Sequence, residues 1–177
     1  MQGRTRPLRE VAAIVEATDI PILSATDRLQ RALLRWVDMC GISGQYKFSG
    51  DVEHEMETRD MLDDRTYILG IVGANPSDWP VVWSGDSVSI DAGQLFGPAF
   101  TRHTYEPRLL SLLVQEYSDA VRYRRAAARR FSLRSVNLTN AVDQLIFPLR
   151  DQNAFDYVLV RGELVSGDLL YEVGEVA

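Results

Sequence analysis

Three β-rich runs close the chain: ARRFSLRSV, AVDQLIFPLR and FDYVLVRGEL. Only the turn-prone stretches Asn137–Asn140 and Asp151-Gln152-Asn153 part them. Branched and aromatic residues bounded by turn chemistry read as consecutive strands, so this chain is committed to a sheet. Two further runs add to it upstream. TYILGIVG begins at Thr66, and WPVVWSG follows a turn at Asn75-Pro76-Ser77-Asp78, which is a hairpin pattern.

Helical signals lie between and before these strands. EPRLLSLLVQEYSDAVRYRR reads as a long helix with Pro107 in its first turn, where a missing N–H costs nothing. Leu109, Leu110, Leu113, Tyr117 and Val121 form its apolar stripe. The run TDRLQRALLRWVDMCG has Ser24 or Thr26 to cap it and Gly41 to end it. Leu29, Leu33, Trp36, Val37 and Cys40 share one face of this helix, and Arg28, Arg31, Arg35 and Asp38 lie mostly on the other. An apolar face of this kind must be buried on something. Residues 51–64, DVEHEMETRDMLDD, hold seven acids and one Arg, and predict a short exposed helix. Residues 91–103 suggest short helical pieces. Residues 1–23 read as a loosely attached lead-in with a short helix over 8–17.

Composition narrows the class. The chain has 177 residues with 46% apolar and 25% charged side chains, which is ordinary for one globular domain. Its net charge of −6 repels nucleic acid and anionic membrane overall. The single Cys40 rules out an internal disulfide and a Cys-rich zinc site, and no run is long enough to span a membrane. The piece VAAIV is too short for a secretory h-region. The expectation is a cytoplasmic protein with no nucleic-acid or membrane partner.

The order of elements, and the wording within them, resembles a PAS domain, in particular a divergent PAS group abundant in alphaproteobacteria. That plan is an amphipathic flanking helix, then β-β-α-α-α-β-β-β with five strands in one antiparallel sheet. Leu29 and Trp36 match the flanking-helix pattern, and DMLDDRTYILGIV matches an acidic linker entering the first strand. VVWSGDSVSIDAGQLFG matches a strand with a downstream LFG, and QLIFPLRDQNA carries the apolar-Pro-Leu step. The likeness covers about residues 25–165. It divides the chain into an N-terminal extension (1–23), a flanking helix and acidic linker (24–64), a PAS core (65–165) and a C-terminal tail (166–177).

The resemblance implies an α+β fold and a bacterial sensory or protein-interaction module rather than an enzyme. It implies a non-covalent small-molecule ligand in an apolar pocket and a signalling protein as partner. The alternative is a ligand-free adaptor serving as a dimerisation and docking scaffold. Trp83, Phe96, Phe100, Tyr105, Leu113, Phe131, Phe147 and Tyr157 are the residues expected to supply such a pocket. Phe147, Val158 and Val160 on the sheet are equally readable as interface. The helix face bearing Leu29, Leu33, Trp36 and Val37 is expected to form a homodimer.

No cofactor is expected. A photoreactive flavin needs a Cys in an NCRFLQ-like helix, and Cys40 sits in DMCGIS. Haem needs an axial His, and the long helix has none; His103 precedes it and reads as a turn His. His54 lies between Glu53 and Glu55 with no HExxH spacing, so no metal site is expected. Asp63 and Asp64 read as a solvated acidic face. Residues 102–134 hold eight Arg and three acids. Arg122, Arg125, Arg129 and Arg130 are therefore expected to dock an anion or an acidic partner, or else to pair within the chain with segment 51–64.

Overall fold

A computed structural model describes residues 14–20, 25–40, 44–86, 107–135 and 138–165. In chain order the elements are β1 (Ile14–Asp19), α1 (Asp27–Cys40), β2 (Tyr46–Phe48), α2 (Val52–Thr58), β3 (Thr66–Ile71), a 3-10 turn (Pro76–Asp78), β4 (Val81–Ser84), α3 (Pro107–Tyr123), β5 (Ala127–Ser135), β6 (Leu138–Asp151) and β7 (Asp156–Leu164). The fold is α+β. Its sheet runs β1-β5-β6-β7-β3-β4, every neighbour pair antiparallel. Short β2 pairs parallel with the end of β6, Tyr46 opposite Leu149, beyond the last residue that β5 reaches.

Five strands were expected, and seven are present among the described residues. Residues 14–19, expected in a loose lead-in and partly as helix, form edge strand β1 in register with β5, Ile14 opposite Arg134 and Asp19 opposite Arg129. The pairing satisfies backbone groups on the β5 edge that would otherwise face water. The expected helical pieces at 91–103, together with residues 1–13 and 166–177, lie outside the described residues.

Strand alternation sends each apolar set to its own face. Tyr67, Leu69, Phe131, Ile146, Val158 and Val160 point to one face, where Leu113, Tyr117 and Ala120 of α3 cover them. Ile68, Leu145, Phe147, Leu149 and Leu159 point to the other, under α1, β2 and α2. Both faces are thus buried within a single chain.

The covering helices dock as their sequences require. Thr26 caps α1, its Oγ1 accepting from the Leu29 N–H at 3.4 Å. Leu29, Ala32 and Trp36 are buried, and the Trp36 ring stacks on Phe147 with centroids 4.7 Å apart. Asp51 caps α2 through the His54 N–H at 2.9 Å. This helix is less exposed than its charge suggests, because Val52 and Met56, four residues apart, are buried against the sheet. Its Glu55 pairs with Arg59 at 3.3 Å, and just beyond the helix Arg28 bonds Asp63 and Arg35 bonds Asp60 at 2.7 Å.

The long helix ends in a Schellman motif. Arg124 adopts φ 51°, the Arg125 N–H donates to the Ala120 carbonyl at 3.1 Å, and the Arg124 N–H donates to Val121 at 3.3 Å. The chain then turns directly into β5.

Candidate functional site

Two polar features stand out on the α3 side of the sheet. The first is buried in its core. Tyr67 on β3, Gln144 on β6 and Tyr117 on the inner stripe of α3 meet inside the apolar core under α3. Tyr117 donates to Gln144 Oε1 at 2.7 Å, so the Tyr67 hydroxyl must donate to Tyr117. Gln144 Nε2 closes the circuit by donating to the Tyr67 hydroxyl at 3.4 Å. Three bonds running in one sense polarise one another, which strengthens such a ring in a dry site. Burial pushes both phenols above the ordinary tyrosine range; Tyr67 raises Tyr117 further, and the bonds to Gln144 lower both only in part. The ring therefore holds neutral donors and ties α3 to two strands.

The second feature is a groove of about 570 Å³ where β1 ends, α3 ends and β5 begins. Ala126, Ala127 and Ala128 line it, with Ala127 turned to the α3 side, together with Ala120, Ile20 and Tyr123. Asp19, Glu116, Asp119, Arg125 and Arg129 supply the charge. Arg129 is the hub. Its Nε and Nη2 reach Glu116 Oε1 at 3.0 and 2.8 Å, and its Nη1 reaches Asp19 Oδ1 at 2.5 Å. Burial works against its charge, but the two carboxylates prevail and raise the guanidinium pKa. On the outer wall Asp119 accepts from Gln115 at 2.9 Å.

The pleat of β5 divides the expected arginine cluster. Arg129 and Arg130 are neighbours on one strand and so lie on opposite faces. Arg130 makes a forked pair with buried Asp143, Nε at 2.7 Å and Nη2 at 2.9 Å, directly across the β5–β6 register. Arg122 and Arg125 are exposed, Arg122 lying 5.4 Å over the Tyr123 ring. The helix does not run on to align Arg122, Arg125 and Arg129, because the turn at Arg124 ends it. Pairing of Arg129 and Arg130 is internal, but with Asp19, Glu116 and Asp143 rather than with segment 51–64. That segment serves Arg28, Arg35, Arg59 and the deeply buried Arg161, which reaches Asp63 at 3.0 Å. Asp63 is accordingly no solvated acid. Burial opposes its charge, and Thr66, Arg161 and Arg28 more than compensate, holding its carboxyl below the usual range.

The eight expected pocket residues do not share one site. Leu113 and Phe131 are together under α3, with the tyrosine ring beside them in the same core. Phe147 is buried on the opposite face, with Trp83 and Tyr157 packed against that cluster. Trp83 also borders an open acidic groove of about 420 Å³ with Glu53, Glu57, Asp64 and Asp86. Phe96, Phe100 and Tyr105, like His103, lie outside the described residues. Val158 and Val160 are core, not surface.

Of the expected dimer face, Leu29 and Trp36 are buried on the sheet and Leu33 is half-buried there. Only Val37, 52% exposed beside Leu34, faces outward. Cys40 is half-buried, and burial raises its thiol pKa to about 11.

Sequence reasoning missed Tyr67, Gln144, Asp19, Glu116 and Asp119. Gln144 carried a signal, an amide inside the apolar run AVDQLIF. Asp19 carried none, since its role depends on a partner strand far along the chain.

Among the described residues no helix is long and apolar enough to cross a membrane, and no cluster of His, Cys, Asp and Glu suits a metal ion. Comparison with protein-family models, curated proteins and solved structures finds no match for this chain.

Proposed function

We propose that this chain is a PAS-type sensory module that binds a small molecule non-covalently and passes its state to a protein partner in the cytoplasm. The role is non-enzymatic and needs no cofactor. One observation carries the reading: the order of elements along a single sheet. A flanking helix comes first, then the β3–β4 hairpin, then α3 on one face, then the β5–β6–β7 meander that returns beside β3. This supports the plan of two strands, a helical segment and three strands in one antiparallel layer. Strands β1 and β2 are additions at one side of it. A ligand acts through such a fold only by binding two arrangements of the elements with different affinity.

The closed Tyr67–Tyr117–Gln144 ring favours a second reading, an adaptor with a filled core, because these polar groups satisfy one another. Self-association through α1 would use Leu34 and Val37, as the inner face is already engaged. Native mass spectrometry of the purified chain separates the readings. An added non-covalent mass supports the sensor and gives the ligand class. Bare chains, with a co-purifying metabolite also absent from a denatured extract, support the adaptor. The same spectrum counts chains per particle, and two are expected.

A further inference from the structure

We propose that the groove at the end of α3 binds a small carboxylic acid with an apolar body, and that the Asp19 carboxylate holds the ligand's place on Arg129. The two carboxylates on Arg129 are unlike each other. Glu116 is only 18% exposed and engages the Nε and Nη2 edge, which fixes the guanidinium in position. Asp19 takes the remaining Nη1, and its side chain is 90% exposed. An ion pair so open to water is worth little and is readily exchanged for another carboxylate. The backbone need not move, because Asp19 stays in register with Arg129 and the next residue, Ile20, anchors its N–H on the Ala128 carbonyl at 3.3 Å.

The lining sets the ligand's charge and shape. With Asp19 in place it holds three carboxylates, Asp19, Glu116 and Asp119, against Arg125 and Arg129. Once Asp19 turns outward the count is two against two, which suits a single negative charge better than a phosphate dianion. The planar guanidinium edge fits a carboxylate, and exposed Arg125 at the mouth adds attraction at longer range. Ile20, Ala120, Tyr123 and Ala127 give an apolar wall for the rest of the molecule, and about 570 Å³ is in the range of small-ligand clefts. The groove is distinct from the core that holds the tyrosine ring, so this inference goes beyond the sensory reading and stands without it.

The test is calorimetric titration of the full chain, wild type and Asp19→Ala, with acetate, isobutyrate, benzoate and inorganic phosphate at fixed ionic strength. Amide NMR locates the binding. Benzoate is expected to bind more tightly than acetate and to shift the resonances of Ala126–Arg129. Asp19→Ala is expected to tighten benzoate about two- to fivefold, the worth of an exposed pair that no longer competes. Arg125→Gln, at an exposed position, is expected to weaken it. The proposal is overturned if Asp19→Ala leaves benzoate affinity unchanged or lowers it. It is also overturned if none of the three carboxylates binds, or if phosphate binds as tightly as benzoate. Because Asp19 is exposed, its loss leaves the fold intact, which the unchanged spectrum outside the groove verifies.

Discussion

Tyr117→Phe removes one oxygen from the middle of the buried ring and leaves shape and volume almost untouched. At least two bonds go with it: the one Tyr117 gives to Gln144 and the one it accepts from Tyr67. Gln144 is 1% exposed and Tyr67 4%, so water does not replace the lost partner without opening the core. A net hydrogen bond is worth about 0.5–1.5 kcal/mol, and a buried polar group stripped of its partner costs about 1–3 kcal/mol. The expected loss is about 2–3 kcal/mol, or about 4–12 °C in Tm for a domain of this size. Replacing the whole ring with apolar groups of similar shape, Tyr67→Phe, Tyr117→Phe and Gln144→Met together, removes these mutual donors and acceptors as a set. That triple variant is expected within about 1 kcal/mol of wild type, and so more stable than the single one. Urea unfolding followed by the fluorescence of Trp36, Trp79 and Trp83 measures both, with equal m-values as the check on a common unfolded state. A single-variant cost below about 0.5 kcal/mol would refute the argument. So would a triple variant as unstable as the single.

The ring also makes stability fall in alkali. Both phenols titrate higher in the folded chain than the unfolded value of about 10, so their contribution is intact below that pH and drains away above it. Wild type should lose more Tm between pH 8 and pH 11 than the triple variant, and parallel losses would contradict this. The Cys40 thiol, raised to about 11, should react with iodoacetamide at pH 7.5 about ten- to thirtyfold more slowly than a free thiol, and at the free rate in urea. A native rate equal to the free one would count against burial of the sulfur. At Gly85 an added Cβ would run into the carbonyl oxygens of Asp63 and Asp64, while the Gly85 N–H bonds Thr66 at 2.8 Å. Gly85→Ala should cost more than about 3 kcal/mol or yield no soluble protein, and a cost under about 1 kcal/mol would show that the approach is not close.

What the sequence made legible were the elements with strong local patterns. The helix seen at Asp27–Cys40 has its apolar residues at helical spacing and a Thr cap, and the helix at Pro107–Tyr123 opens on its Pro as expected. The β3–β4 hairpin and the turn after Asp151 also match their turn chemistry, whereas Leu138–Asn140, expected as turn, pair with β5 as the start of β6. Pairing partners were another matter. IVEATD in β1 is short and can read as helix or strand, and what makes it a strand is β5, about 110 residues onward. Likewise Tyr46–Phe48 has no strand signal beyond alternation, and it forms because the end of β6 offers a free edge. The scatter of the expected pocket is a question of parity. Ile146 and Phe147 are adjacent, so only one can face α3, and the aromatic ring was no guide to which. The groove was hidden for a related reason: its charges come from three elements, and only the arginines were clustered in sequence.

The two-sided burial of the sheet has a kinetic consequence. The β5–β6–β7 meander is local, but β1 joins β5 across about 110 residues and β3 joins β7 across about 95. Folding dominated by such distant contacts is slow. During synthesis Trp36 leaves the ribosome about 110 residues ahead of Phe147, the ring it stacks on, a wait of roughly 5–20 s at about 5–20 residues per second. For that interval the apolar face of α1 has no sheet to cover it. The nascent chain is therefore stickiest in its N-terminal half, and the arrival of β6, which carries Phe147, is the step that ends the wait.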